Sequence, residues 1–228
     1  MNSAAPEPEL QALSIVVLGS FNPAIFQPFW FSASNLIREA EAKEADVEIL
    51  HRDLAVFTAE WFSVQVTRDR FAVEVRDSTK RQPLRDLVVG TFRVLAHTPV
   101  RAFGFNSLQH FRMASLDEWH AFGHAYAPKD AWNPLMVSPG MRTLVIEGKR
   151  EGSRADRLQV KLEPSTKVPT GVYIAVNEHY EVQSAEDVPG PERMVLMLET
   201  LQNAWDGFVA YQSTIANHLL TAYKSSRG

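Results

Sequence analysis

The chain of 228 residues contains no cysteine. Disulfides and thiolate-held metals are therefore excluded, and a reducing cytoplasmic location is the natural expectation. No apolar run approaches the ~18 residues that a membrane-crossing helix needs. Val16 to Leu18 and Ile25 to Phe31 are short and interrupted, so no membrane partner is expected. Met1 to Glu9 has neither a basic stretch nor an apolar core behind it, which argues against a signal peptide. Neither sign of charge dominates: 23 basic and 27 acidic side chains give a net charge of −4. Such a balance supplies no global pull toward nucleic acid or anionic lipid. The 11 glycines are scattered, so no cluster can wrap a phosphate. Nucleophile elbow, phosphate loop and dinucleotide fingerprint are all missing. No cofactor is expected, no residue stands out as catalytic, and the chain reads as more a binder than an enzyme.

What is present is apolar and aromatic mass. Apolar residues make up 45 % of the chain, with 13 Phe, 5 Trp and 5 Tyr. That composition supports a large core and excludes wholesale disorder.

The order of elements is expected to run twice. Val16-Val17-Leu18-Gly19-Ser20-Phe21-Asn22 is answered about 85 residues later by Arg101-Ala102-Phe103-Gly104-Phe105-Asn106-Ser107. Each is an apolar strand ending in glycine, an aromatic and asparagine. The first leads into a helical pattern from Pro28 to about Ala45, then strands near Val47 to Leu50 and Val56 to Trp61. Period-two alternation on both sides of Arg68-Asp69 predicts a hairpin with one buried face. Pro83 then opens a helix whose apolar face is Leu84, Leu87, Val88, Thr91, Phe92 and Leu95. In the second pass a strand runs from Val100 to about Asn106, with a continuation to Met113 left open. Ser115-Leu116-Asp117-Glu118 is a capping box that starts a helix to Tyr126. A proline-rich loop to Gly140 precedes strands at 141–149, 157–163 and 171–180. After the break at Pro189-Gly190-Pro191, the rest is helical to about Tyr223.

The fold expected is therefore α+β: duplicated β-α-β-β-(β)-α units forming a largely antiparallel sheet with helices on one face. Residues 1–11 are expected to be a loose tail, with halves at 12–98 and 99–228 in one compact unit.

Three surfaces are candidates for function. The first serves a protein partner or self-association. Phe21 to Phe31 holds five aromatics in eleven residues, of which Phe26, Phe29 and Trp30 suit an interface. In the last helix Met194, Leu198, Leu201, Trp205, Phe208, Ile215 and Leu219 make a seam of period 3.5, with Gln212 in the vacant slot. Trp205 and Phe208 lie at its centre. It either lies on the sheet or pairs with a second helix. The second candidate is a nucleic-acid surface built from two basic turns, Arg68 and Arg70 in one, Arg150, Arg154 and Arg157 in the other. Interleaved acids dilute it. The third is a metal-dependent site on His120 and His124, which share a helix face at i, i+4 but lack the adjacent glutamate of a zinc protease.

Gly19-Ser20-Phe21-Asn22-Pro23-Ala24-Ile25-Phe26, Pro83-Leu84-Arg85-Asp86-Leu87 and Trp119-His120-Ala121-Phe122-Gly123-His124 resemble segments of a group of bacterial proteins to which no activity is attached. The resemblance spans most of the chain and implies a bacterial origin.

Overall fold

The computed structural model describes residues 7–182 and 190–225. Strand β1, Leu10–Gly19, already includes two residues expected in the tail, and Glu9 N donates to His110 O at 2.8 Å. The remainder of that tail up to residue 6 lies outside the described residues, as does Pro189 of the expected break. Eight more strands follow among the described residues: β2 Asp46–His51, β3 Leu54–Thr58, β4 Ser63–Thr67, β5 Arg70–Val75, β6 Val100–Arg112, β7 Leu144–Gly148, β8 Arg157–Pro164 and β9 Gly171–Glu181. All nine form one antiparallel sheet in the order β2-β3-β4-β5-β1-β6-β9-β8-β7.

Alternation along the central strands decides which face is covered. Leu13, Ile15 and Val17 of β1 stand opposite Ser107, Phe105 and Phe103 of β6, and all six are buried. Phe71, Val73 and Val75 of β5, and Val172, Ile174 and Val176 of β9, continue the same layer. Helices cover it. They are α1 Pro28–Ala33, α2 Glu39–Glu44, α3 Arg81–Val94, α4 Leu116–Tyr126 and α5 Gly190–Ser225. α3 packs on β1 and β5, α5 on β6 and β9, and the two helices touch each other.

The single helix expected from Pro28 to Ala45 is two short ones. Asn35 adopts φ 57°, a left-handed conformation that asparagine tolerates better than most residues and that ends α1. α2 restarts with a one-sided cap from Glu41: its Oε2 accepts from Arg38 N at 2.8 Å, and its Oε1 accepts from Trp61 Nε1 at 2.9 Å. Hydrogen bonds from Arg38 hold the Glu41 carboxyl below its ordinary range. At α4, Ser115 Oγ accepts from Glu118 N as expected, while Glu118 reaches one residue further back, to Ala114 N.

Strand order on the two sides of the β1–β6 pair is alike, β5-β4-β3 matching β9-β8-β7, and each side closes with a helix. The likeness is one of topology. Gly19 ends β1, where a Cβ would lie 2.3 Å from Pro99 O, whereas Gly104 sits inside β6 opposite Val16. An offset of about 85 places helix-side Val17 on Ala102, which faces the other way. The paired segments read from sequence therefore do not occupy equivalent positions, and among the described residues β2 has no counterpart beyond β7.

Candidate functional site

Among the described residues, no helix lies on the opposite face of the sheet. Across its middle runs one line of cross-strand neighbours: Thr58, Ser63, Glu74, Ser14, Asn106, Asn177, Gln159 and Glu147. Every member is polar, and the line continues from Thr58 to Asp46 of β2, so that it crosses all nine strands. Strand register alone brings these residues together, because side chains on one face of an antiparallel pair meet directly opposite one another. Asn177 Nδ2 donates to Asn106 Oδ1 at 2.9 Å, and Gln159 Nε2 donates to Glu147 Oε1 at 2.6 Å.

Small and aliphatic residues flank the ladder. On one side lie Ala72, Val16 and Gly104, and on the other Ala12, Leu108 and Ala175. Two depressions open here, of about 530 Å³ over β4 and β5 and about 430 Å³ over β1, β6 and β9. Charges on this face are largely matched in place: Arg76 with Glu74 at 3.6 Å, Lys161 with Glu163 at 2.8 Å and Arg157 with Glu147 at 3.8 Å, while His179 Nε2 lies within hydrogen-bond distance of Glu181 Oε1 at 2.8 Å.

The two basic turns divide. Arg70 and Arg157 line the second depression. Arg70 is half-buried and donates to Gln65 Oε1 at 3.2 Å, and burial pulls its pKa below the ordinary value. No carboxylate lies within ion-pair distance of it among the described residues. Arg68 is tied to Asp53. Arg154 lines a separate hollow with Asp156, Tyr180 and Arg193. Arg150 corrects the expectation outright. It turns to the helix side, where Nε meets the fully buried Glu178 at 2.9 Å and Nη1 donates to Gly207 O at 2.8 Å. Its guanidinium also stacks over Tyr211. It is committed to the fold and offers nothing to a phosphate.

The aromatic candidates are corrected as well. Phe26, Trp205 and Phe208 are each at most 1 % exposed. Phe26 packs edge-on against Phe21 and Trp30, within a cluster that includes Phe31 and Phe71. Trp205 and Phe208 pack on Phe105. These side chains cannot meet a partner without unfolding. The seam of the last helix is spent on the sheet: Gln212 fills its slot because Ser107 Oγ donates to Gln212 Oε1 at 2.8 Å. Of the named aromatics only Phe29, 76 % exposed, presents a surface, with Trp30 half-buried beside it.

His120 and His124 line a cavity of about 990 Å³ between α4, the loop to β7 and the ends of β8 and β9. His120 packs edge-on against Trp119, and His124 Nε2 lies 3.9 Å from Asp130 Oδ2. No set of three or more His, Asp or Glu residues placed to hold a metal exists among the described residues. Lys129, on the cavity wall, caps α4 by donating to Gly123 O at 2.9 Å and to Ala127 O, and burial lowers its pKa.

No helix among the described residues is long and apolar enough to cross a membrane. No protein-family model and no curated protein matches the chain.

Proposed function

We propose that this is a non-catalytic binding subunit of a bacterial cytoplasmic assembly, and that the bare sheet face holds a partner protein. The observation that supports the reading is the polar ladder from Thr58 to Glu147 with its flanking rows of Ala, Val, Gly and Leu. Hydroxyls and carboxamides offer donors and acceptors, and the small neighbours let another chain approach closely. An interface of this kind is neutral with a mixed polar and apolar core. Glu74 and Glu147 within the ladder, and the in-face ion pairs, favour a protein over a polyanion. The test is co-purification from the native host, read by mass spectrometry. Wild-type protein is compared with a Val16→Glu, Leu108→Glu variant whose circular dichroism is unchanged. The reading requires at least one protein recovered with the wild type and lost with the variant. Identical recoveries would overturn it.

Arg70 supports a second reading, a nucleic-acid module. It carries a half-buried guanidinium without a carboxylate partner on the same face as Asn106 and Asn177. Phosphate contacts would make binding fall steeply with salt. An electrophoretic shift with mixed-sequence duplex and single strands at low salt decides it; absence of any complex ends this reading.

A further inference from the structure

The two outer strands of the sheet differ in how well their free edges are guarded. β2 has a register break between Val47 and Ile49 and carries Asp46, Glu48 and His51. A bulge and charges are the usual means of spoiling an edge for pairing. β7, at the opposite end, has no bulge and a single charge, Glu147. Its residues Leu144-Val145-Ile146-Glu147-Gly148 pair without interruption with β8 from Leu162 to Leu158. It contains no proline and no basic residue. Its outer edge leaves backbone groups with no strand beside them among the described residues.

The side chains agree. Ile146 is 59 % exposed and Val145, on the other face, 43 %. Beside Ile146 on the helix side, Leu144, Leu158 and Val160 are only half-buried. A regular, largely apolar edge whose one charge, Glu147, is already paired within its own sheet is a template for another strand.

We propose that β7 is the seam of a homodimer: β7 of one protomer pairs antiparallel with β7 of a second copy about a twofold axis through Ile146. That register sets Ile146 against Ile146, Leu144 against Gly148 and Val145 against Glu147. A β-branched pair on the axis is favourable, the leucine gains the space above glycine, and no like charges stand directly opposite. Each Glu147 brings its own compensation, since Arg157 lies 3.8 Å away and Gln159 donates to it at 2.6 Å. The edge thus fits itself, whereas its one matched charge offers nothing to an acidic or basic peptide. A seam of five residues is at the small end of specific interfaces, so a weak, concentration-dependent dimer is expected. The dimer does not depend on what the bare face holds, because it uses the sheet's edge.

Sedimentation of the full chain from about 1 to 200 µM tests the proposal. The expected result is a concentration-dependent rise toward twice the 25.6 kDa protomer. Ile146→Lys, checked for folding by circular dichroism, is expected to stay monomeric throughout. Because the chain has no cysteine, an Ile146→Cys variant gives an unambiguous cross-link. Opposed Cα atoms in an antiparallel pair are ~4.5–5.5 Å apart, within reach of a disulfide. Under mild oxidant most of that variant is expected as a disulfide dimer, while Ile49→Cys on β2 stays monomeric. A wild-type monomer at 200 µM overturns the proposal. So does a dimer that survives Ile146→Lys while Ile146→Cys fails to cross-link.

Discussion

Arg150 Nε stands 2.9 Å from Oε1 of Glu178, whose side chain is fully buried. Ser153 Oγ donates to the same oxygen at 3.0 Å, and Tyr180 OH donates to Oε2 at 3.0 Å. Burial, with the adjoining carboxylate, pushes the Tyr180 hydroxyl above its ordinary range. The loop after β7 is thereby pinned to β9 and, through Gly207 O, to α5. Breaking a buried pair by removing one member leaves an uncompensated charge and costs about 3–5 kcal/mol. Arg150→Ala is expected to lose that much stability in urea melts. Arg150→Met with Glu178→Leu is expected to recover only part of it, because neither charge is then buried but the buried Tyr180 hydroxyl loses its acceptor.

Ser107 and Gln212 form a second polar contact inside the core. Gln212 Nε2 also donates to Val209 O at 3.1 Å and to Ser213 Oγ at 2.7 Å. Gln212→Leu completes the apolar seam but strands the Ser107 hydroxyl, at a cost of about 1–3 kcal/mol. Adding Ser107→Ala is expected to bring stability back to within ~1 kcal/mol of wild type. Chemical denaturation of the three variants and the parent closes this cycle.

Much of the fold was legible because it follows from local pattern. Alternation at Phe62 to Val75 gave the hairpin, the seam from Met194 to Leu219 gave α5, and Ser115 gave the start of α4. Misread elements each have a physical cause. Aromatic density between Phe21 and Phe31 looked like surplus for one helix, yet Phe57, Phe71 and Phe92 close around Phe21, Phe26 and Phe31 and absorb it. Arg150 looked like a turn cation because the carboxylate that claims it lies 28 positions away in sequence. The ladder itself was not legible. Alternation can place Ser14, Asn106 and Asn177 on an outward face, but only register says that they lie on one line.

His110 gives the fold a pH dependence. Its Nδ1 lies 2.8 Å from Ser165 Oγ, its ring rests on Tyr173, and burial, with nearby Lys167, lowers its pKa from 6.5. A base with a depressed folded-state pKa takes up protons more readily when the chain unfolds. Stability should therefore decline as pH falls below about 6.5, and level off once the folded form is protonated too. His110→Gln keeps a polar group near Ser165 without the titration. Melting temperatures from pH 8 to pH 5 are expected to fall less for this variant than for wild type. Parallel slopes would show that another group carries the effect.

The ladder allows stability and binding to be separated at one residue. Asn106 is half-buried and accepts from Asn177 Nδ2, which also reaches Phe105 O at 3.4 Å. Asn106→Leu removes the acceptor yet leaves Asn177 that second partner and water access. Its cost should stay within ~1 kcal/mol, as for a single exposed hydrogen bond. A partner seated on the bare face would instead lose a central polar contact and meet an isobutyl group, so its recovery from host lysate is expected to drop at least ~10-fold. A matched change on the helix side, Ile15→Ala, should do the reverse. It opens a cavity beneath a fully buried residue, costing about 2–5 kcal/mol, while leaving the outward face unaltered. If both variants lower recovery in proportion to lost stability, the face plays no separate part. If only Asn106→Leu lowers it, the surface facing away from the helices is where the partner sits.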